Sequence, residues 1–467
     1  MVWRNCFNSS VTMGAEIMME TIYSLLCGVL TPAMICIGGL FFSCKIGILR
    51  ILSPKRFANV LTDTPRESGT SPFVSLTMAL AGTLGVGNIT GVAAAVVSGG
   101  AGAVFWMWAG AILSMSIKYG EVALAVKYRR KRGTEYFGGA MYYISDGLGL
   151  RFPSHRFTAF GGLFALLCVI NSLVTGNIVQ SNSAAAVVPQ LPSAVTGAIL
   201  AALVGISVLF GIRRIGRITS FLIPVLTGVY LILSLTILAW NIGEIPEICG
   251  DIFRSAFTFR AAAGGAVGIT AKEAIRYGIT RGIFSNEAGC GTSPTAHASA
   301  DTKSPFHQGC FGIFEVIADT LILCTVTAFV LLIADRRFGL LSFVSGEGDA
   351  ALTLNAYATL AGDWAYGVLA LSVILFAYAT VLAQMYYGFE AVGYLTQSRA
   401  AKGGYLLLSV FCAFLGAVIR ADVMWSLADP VVCVMTVINI GVLFLLRREV
   451  YGTVKGKKIV QIKQKDR

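Results

Sequence analysis

Apolar residues run in long, nearly unbroken stretches along this chain, and such stretches recur from residue 22 to residue 447. A helix needs about 20 apolar residues to cross a hydrocarbon core of about 30 Å. The alternation of apolar and polar residues that marks barrel strands of about 10 residues is absent. The pattern predicts an all-α polytopic membrane protein with about 11 transmembrane helices. The predicted spans are 22–44, 71–98, 102–128, 157–186, 194–211, 216–241, 262–299, 305–335, 364–396, 401–419 and 423–447.

Two of these spans are interrupted by glycine and polar residues at membrane depth, at Gly82–Asn88 and at Gly278–Pro294. Each interrupted span is the first of five consecutive spans, and groups of five insert with opposite orientations. We therefore expect a 5+5 inverted repeat with one extra N-terminal helix, in which matched breaks mark the substrate site. The predicted regions are an anchor helix and cytoplasmic loop (1–66), two five-helix repeats (71–241 and 262–447) and a basic cytoplasmic tail (448–467).

Charge is sparse and unevenly placed. Only 13% of the 467 residues are charged, against about 25% in soluble domains, and 56% are hydrophobic. Most of the 36 lysines and arginines fall in alternate loops and in the tail. Because cytoplasmic loops carry the excess of basic residues, we expect the N-terminus outside and the C-terminus in the cytoplasm. The net charge of +12 then reflects topology and attraction to membrane lipid, and it does not indicate nucleic acid.

Cysteine and histidine give no metal-site pattern. The 11 cysteines contain no C-x-x-C pair, and the chain has three histidines. Cys6 and Cys249 both fall on the predicted outer side and could pair, although single buried thiols that act as small apolar residues are favoured. We therefore expect no cofactor.

The first break places small and polar residues where a helix should continue. Gly85 and Gly87 allow a close backbone approach, with Thr83 and Asn88 beside them. The exposed helix ends suit a zwitterion, since amides face a carboxylate and carbonyls face a cation. Packing of small residues between helices is the alternative.

The second break brings together an aromatic wall, two neutral hydrogen-bonding groups and a carboxylate, in Phe284, Ser285, Asn286 and Glu287. An acid is costly inside a membrane. Arg281 precedes Glu287 by six residues and could neutralise it. Either the two residues form a buried ion pair that fixes the break, or Glu287 contacts an ion directly.

Two further acids, Glu315 and Asp319, are four residues apart and so share a helix face. They could form a proton relay, part of a gate, or ion pairs; the candidate partners are Lys272, Arg276 and Arg281. Lys118 and Glu121, three residues apart, are predicted to form a local or snorkelling pair.

The fourth and ninth spans carry polar residues that a lipid-facing helix would not. The fourth is dense in amides from Asn171 to Asn182, with Gln180 among them, so that part of it should face a cavity. In the ninth, Thr380 and Gln384 share one face. The Thr380 hydroxyl with the carbonyls of Ala81 and Leu84 would supply the oxygen ligands that a small hard cation prefers.

At these residues the chain resembles the alanine or glycine:cation symporter family, sodium-coupled amino-acid carriers of bacteria and archaea with the leucine-transporter-type fold. The matching motifs are Ser71-Pro-Phe, Gly85-Val-Gly-Asn-Ile-Thr-Gly91, Gly99-Gly-Ala-Gly-Ala-Val-Phe-Trp-Met-Trp108, Gly139-Ala-Met-Tyr-Tyr-Ile144, Arg281-Gly-Ile-Phe-Ser-Asn-Glu-Ala-Gly289 and Phe314-Glu-Val-x-x-Asp-Thr320. The resemblance implies an amino acid between the broken helices and sodium near Ala81, Leu84 and Thr380.

The ninth span departs from the family, which typically reads Ser-Thr at Ala379-Thr380, Trp at Gln384 and Glu at Phe389. A Trp-to-Gln change enlarges and polarises the pocket. We therefore hypothesise that the substrate range reaches beyond alanine and glycine, to glutamine.

Together these features predict a monomeric symporter of a prokaryotic cell membrane that couples Na⁺ to import of a small neutral amino acid by alternating access. The predicted substrate contacts are Thr83, Gly85, Gly87, Asn88, Gln180, Phe284, Ser285, Asn286 and Gln384. Proton coupling through Glu287 or through Glu315 and Asp319 is the alternative within transport. A channel is a different class, and a membrane-embedded enzyme would need a nucleophile, base or metal cluster that three dispersed histidines do not supply.

Overall fold

The computed structural model describes residues 21, 23–51, 70–133, 135–209, 215–257, 271–302, 304–343 and 350–454. Helices dominate this part of the chain. Those of the first half are a π-helical turn Leu26–Leu30, α1 Thr31–Ile46, α2 Ile48–Ile51, α3 Pro72–Thr83, a 3₁₀ turn Val86–Asn88, α4 Thr90–Gly99, α5 Gly102–Lys127, α6 Ala140–Tyr142, a π-helical turn Tyr143–Gly147, α7 Leu148–Arg151, α8 Thr158–Asn171, a π-helical segment Ser172–Ile178, α9 Val179–Ala186, α10 Ser193–Leu209 and α11 Ile215–Trp240.

The second half continues with a similar succession of helices. They are a 3₁₀ turn Ile242–Glu244, α12 Ile245–Ala256, α13 Ala271–Asn286, α14 Pro294–Ala298, α15 Pro305–Val316, a π-helical segment Ile317–Cys324, α16 Thr325–Phe338, a 3₁₀ turn Leu340–Phe343, α17 Ala350–Ala361, α18 Asp363–Leu395, α19 Arg399–Val418, α20 Ala421–Leu445 and α21 Arg447–Val454.

Eight helices of the described residues are long and apolar enough to cross a membrane, and α3 with α4 makes a ninth span that bends by 58°. The eight are Tyr23–Ile46, Gly102–Lys127, Thr158–Ala186, Ile215–Trp240, Pro305–Phe338, Asp363–Leu395, Arg399–Val418 and Val423–Leu445. The chain is thus an all-α, multi-pass membrane protein. Of the other two predicted spans, 194–211 corresponds to α10, which has 17 residues. The described part of 262–299 contains α13 and α14, and residues 262–270 lie outside the described residues. The count of 11 and the inverted repeat therefore stay predictions.

Serine residues define where several helices begin. The Ser71 side chain accepts from the Val74 amide at 3.1 Å, with Pro72 in the first turn of α3. Ser304 caps α15 in the same way, and Ser398 caps α19. Each serine satisfies an amide that the first helical turn leaves without a partner.

Burial separates a central set of helices from an outer set. The most apolar stretch of α5 is 83% buried and that of Pro305–Phe338 is 78% buried, whereas that of α19 is 33% buried. The outer helices present large apolar side chains at the surface, such as Leu407 on α19. A polar solvent would not favour this surface, but hydrocarbon does.

Some connections are more ordered than the sequence pattern predicted. The predicted loops after spans 216–241 and 305–335 contain the helices α12 and α17. A two-stranded antiparallel hairpin follows α5, formed by β1 (Arg130–Arg132) and β2 (Glu135–Phe137) with Lys131 opposite Tyr136. Cys6, which could pair with Cys249 as the less favoured alternative, lies outside the described residues.

Candidate functional site

The first break is a real interruption of the helical backbone. α3 ends at Thr83, and Leu84 leaves the helical region with ψ 77°. The Gly85 amide, which would continue the ladder to the Ala81 carbonyl, turns instead to Thr83 O at 2.8 Å and Asn88 Oδ1 at 3.2 Å. A single 3₁₀ turn then leads into α4. The carbonyl end of α3 and the amide end of α4 therefore face the interior of the protein, because every residue from Ser75 to Val96 is buried.

Open space adjoins the start of α4. Gly91, in its first turn, is buried, yet apart from its chain neighbours and the backbone of α4 itself no atom lies within 4 Å of the position that a Cβ would take there. At Gly87 an added Cβ would lie 3.4 Å from Ser285 Cα, which is ordinary contact. The start of α4 thus combines amide donors with open space at Gly91.

The second break runs from the end of α13 to the start of α14. Glu287 has φ 50°, the one positive φ among the non-glycine residues that the structure describes. Gly289 at φ 90° and Gly291 at φ 80° follow it. A left-handed residue other than glycine is costly and tends to occur at functional sites. α14 resumes with Pro294 in its first turn.

Asn88 and Ser285 join the two breaks directly. The Asn88 side-chain nitrogen donates to Ser285 Oγ at 3.0 Å and to Asp319 Oδ1 at 2.7 Å. Ser285 donates to Asp319 Oδ2 at 2.9 Å, and Thr320 donates to the same oxygen at 2.7 Å. All four residues are buried. Within the part of the chain that the structure describes, no basic side chain pairs with Asp319, so its charge is met by neutral donors alone.

Gln384 makes a second link between the breaks. Its side-chain nitrogen donates to Glu287 Oε1 at 2.5 Å and lies 3.4 Å from Gly82 O. Thr292 donates to the other Glu287 oxygen at 2.5 Å. The Gln384 carbonyl oxygen is buried and has no hydrogen-bond partner among the described residues. Gly176 leaves room for Gln384, since a Cβ at that glycine would collide with the Gln384 Cβ.

Gln180 reaches the first break from the fourth predicted span, where its Oε1 accepts from the Val86 amide at 3.2 Å. A π-helical segment precedes it. Two of its neighbours bind another helix instead: Asn177 donates to Ser409 O and Asn182 to Gly416 O, both on α19. Helix packing thus accounts for part of the polar run.

The Thr380 hydroxyl faces the first break. It is buried and has no hydrogen-bond partner in the described parts of the chain. A Cβ at Gly85 would lie 2.5 Å from it, so only glycine fits there without a shift. Ala81 and Leu84, the other residues predicted to contact sodium, are buried in and just after the last turn of α3.

The remaining predicted substrate residues make internal contacts. Thr83 lies 3.4 Å from Ala79 O and from Leu80 O in its own helix. Phe284 packs edge-on against Trp425 at 4.9 Å between ring centroids. Asn286 donates to Thr320 Oγ1 at 3.0 Å and accepts from the Ala288 amide at 2.9 Å, so it stabilises the turn itself.

The predicted ion pairs of the charged residues are wrong. Arg281 pairs with Asp429 of α20 at 3.2 Å and lies over the Trp425 ring, while Glu287 binds Gln384 and Thr292. Six residues do not bring two side chains to one helix face, and Glu287 lies beyond the end of α13 at Asn286.

Lys118 and Glu315 also have other partners than expected. Glu315 pairs with Lys118 at 3.1 Å and with His297 at 3.0 Å, and not with Lys272, Arg276 or Arg281. Lys118 is fully buried and therefore neither snorkels nor makes its closest ion pair with Glu121. Tertiary neighbours decide these pairs.

Sequence reasoning missed Asp429, Asn439 and His297. Asp429 is an acid inside an otherwise apolar predicted span, which is a sufficient signal for a buried pair. Asn439 and His297 carry no such signal, since single polar residues of this kind often only satisfy local packing.

Comparison with known proteins identifies relatives over nearly the whole chain. The model of the sodium:alanine symporter family matches residues 12–466. A sodium/alanine symporter of Methanococcus maripaludis is 35% identical over 449 residues, 94% of this chain and 96% of the relative. A probable sodium/glutamine symporter of Bacillus subtilis is 33% identical over 423 residues, 89% of this chain and 85% of the relative.

Two further comparisons bear on mechanism and fold. A putative sodium/proton-dependent alanine carrier of Bacillus subtilis is 34% identical over 436 residues, 90% of this chain and 88% of the relative. Among solved structures, a manganese transporter of Eremococcus coleocola matches with a TM-score of 0.51 and 13% identity, covering 86% of this chain and 84% of that one. At this identity the likeness concerns the fold alone.

Proposed function

Because the chain belongs to the sodium:alanine symporter family, we propose that it is a sodium-coupled symporter that imports a small neutral amino acid by alternating access. The family and these relatives are transporters, so the chain is a transporter and not an enzyme. The observation that carries the proposal is the direct contact of the two helix breaks through Asn88 and Ser285, 3.0 Å apart.

The chemistry of the breaks suits a zwitterion. The amide end of α4 opens beside the free space at Gly91 and favours a carboxylate, because a helix N-terminus carries partial positive charge. An ammonium group finds acceptors in the carboxylates of Asp319 and Glu287. In a neutral α-amino acid the carboxylate and the ammonium group are bonded to the same carbon, so one small molecule supplies both partners.

Sodium coupling is supported by the unpartnered Thr380 hydroxyl beside the first break. The Gly85 amide turns away from the Ala81 carbonyl, which leaves that oxygen for another partner. Hydroxyl and carbonyl oxygens are the ligands of hard cations. Ala81, Leu84 and Thr380 are therefore our candidate sodium residues.

The substrate range is proposed to include glutamine besides alanine and glycine. Gln384 presents an amide whose carbonyl oxygen is free to accept a hydrogen bond from a substrate side chain. Relatives of this chain are named for alanine and for glutamine. In a cell membrane the basic loops favour an outer N-terminus and a cytoplasmic C-terminus, and we propose a monomer.

Uptake in proteoliposomes tests this function. The purified protein is reconstituted and supplied with each of the twenty amino acids in turn, with an inward sodium gradient or with potassium replacing sodium. We expect saturable, sodium-dependent uptake of small neutral amino acids, including glutamine. Uptake of alanine and glycine alone would show that glutamine is not a substrate. Uptake that is equal with sodium and with potassium would show that transport is not coupled to sodium.

Proton coupling is a second candidate, favoured by Asp319. This buried carboxylate joins Asn88 and Ser285, and the structure places no basic side chain on it among the described residues. Glu315, which pairs with Lys118 and His297, is a poorer proton carrier. Sodium-independent uptake that follows an imposed pH gradient, and that Asp319→Asn abolishes, would favour protons as the coupling ion.

A further inference from the structure

α5 directs two oppositely charged side chains at the second break. Lys118 and Glu121 are three residues apart and so share a face of the helix. Lys118 Nζ donates to Asn286 O, at the end of α13, at 2.9 Å. Glu121 Oε2 accepts from the Gly289 amide at 3.1 Å. The cation thus meets a carbonyl and the anion meets an amide, both from backbone that the break leaves without helical partners.

Glu315 of α15 extends this arrangement to the far side of the break. Its carboxylate pairs with Lys118 at 3.1 Å. The other oxygen lies 3.0 Å from His297 Nε2 and 3.4 Å from Ser293 Oγ, on and next to α14. The Lys118–Glu315 pair therefore reaches the last residue of α13 through one partner and the first turn of α14 through the other.

Neighbouring groups complete the surroundings of the pair. Gln308 lies 2.8 Å from His297 Nδ1 and orients that ring. Asn439 of α20 donates to Gly289 O at 2.8 Å and to Glu121, and Tyr143 donates to Asn439 at 2.6 Å. Lys118, Glu121, Glu315 and His297 are each fully buried. None of them contacts Asn88, Ser285 or Gln384 in the described hydrogen bonds, so they lie behind the site.

We propose that Lys118 and Glu315 are positioning residues that fix the two ends of the second break and thereby hold Ser285 and Glu287 at the substrate site. Ser285 lies one residue before Asn286, whose carbonyl Lys118 binds, and Glu287 lies one residue after it. A shift at Asn286 moves both site residues. The identity of the site as a substrate site rests on the proposed function, whereas the contacts that fix the second break do not depend on it.

The test separates positioning from stability by neutralising one or both members of the pair. Lys118→Met leaves Glu315 with His297 but without the lysine charge, and Glu315→Gln leaves Lys118 without the Glu315 charge; removing one member of a buried ion pair destabilises strongly. The double variant removes both charges, so its melting temperature should recover most of the loss. The contacts of Lys118 with Asn286 and of ionised Glu315 with His297 stay absent in the double variant.

We expect both single variants and the double variant to raise the KM for the transported amino acid by at least about tenfold, since displacements near 1 Å at a site have effects of this size or larger. The matched control is Lys127→Met, on the same helix, where Lys127 pairs with Glu449 away from the break. It should keep the wild-type KM. A double variant whose KM returns to the wild-type value together with its melting temperature would overturn the proposal.

A second readout does not depend on the substrate. Cys290 is buried within the break, between Gly289 and Gly291. Alkylation by a maleimide, followed by peptide mass spectrometry, should modify Cys290 faster in the double variant than in the wild type or in Lys127→Met. Equal rates would overturn the proposal even where KM changes. If the wild type transports no amino acid, the proposed function is wrong, but the alkylation rates of Cys290 still test whether Lys118 and Glu315 fix the second break.

Discussion

The side-chain nitrogen of Asn88 lies 3.0 Å from Ser285 Oγ, and the same nitrogen donates to Asp319 Oδ1 at 2.7 Å. Asn88 belongs to the first break and Ser285 to the second, 197 residues later. One amide therefore bridges the two broken helices and also donates to a buried carboxylate.

Asn88→Ala should remove transport. The substitution removes the Asn88 donor from Asp319 Oδ1 and from Ser285 Oγ, whereas Asp319 Oδ2 keeps its donors Ser285 and Thr320. A buried acceptor that loses its donor costs about 1–3 kcal/mol. We expect uptake to fall at least about a hundredfold, because the loss acts at the point where both breaks meet. The control is Asn182→Ala, which instead removes hydrogen bonds to the carbonyls of Gly416 on α19 and of Ile419 just beyond its end. If both variants lose uptake equally, the contacts of Asn88 between the two breaks matter no more for transport than ordinary helix-packing hydrogen bonds.

Gly87→Leu should abolish amino-acid binding while the helices remain assembled. A Cβ at residue 87 meets Ser285 Cα at 3.4 Å, so the backbone accepts a side chain, but three further carbons would fill the space between the breaks. Thermal-shift titration with the amino acid measures binding, and the melting temperature without ligand measures assembly. Gly403→Leu, on α19, where no atom lies within 4 Å of an added Cβ, is the control. Unchanged binding by Gly87→Leu would place the substrate elsewhere.

The sequence located both breaks because their glycines and polar residues are anomalous at membrane depth. It also placed Asn88, Ser285, Gln180 and Gln384 as site candidates, and the structure brings these four to the breaks. Their roles toward a substrate remain predictions.

The partners of the buried charges could not be predicted in the same way. Arg281 pairs with Asp429, 148 residues away, and not with Glu287, six residues away. Lys118 forms its ion pair with Glu315 and not with Glu121. Sequence spacing defines neighbours only within a continuous helix. At a break, and between helices, side-chain directions follow from tertiary packing that spacing does not contain.

Thr380→Ala should raise the sodium concentration needed for half-maximal uptake at least about tenfold, which corresponds to about 1.4 kcal/mol of lost ion binding. The reason is the buried, unpartnered hydroxyl beside Gly85. Amino-acid selectivity at saturating sodium should change little. Ser372→Ala is the control on the same helix, since Ser372 donates to Val368 O within α18. An equal change in sodium requirement and in selectivity would move Thr380 away from the ion site.

Gln384→Leu should lower uptake of glutamine relative to alanine by about tenfold or more, because a site that hydrogen-bonds a substrate discriminates strongly when that bond is lost. Leucine keeps much of the volume of Gln384 but removes the free carbonyl oxygen and the donor to Glu287. Alanine has no side-chain amide, so the fall in its uptake measures the effect of losing the hydrogen bond to Glu287, which both substrates share. The ratio of glutamine uptake to alanine uptake then measures the contact of Gln384 with the glutamine side chain. Gln397→Leu, just beyond the end of the same helix and exposed, should leave the ratio unchanged. If the ratio of glutamine to alanine uptake is the same in Gln384→Leu as in the wild type, Gln384 supports Glu287 and does not contact the substrate side chain.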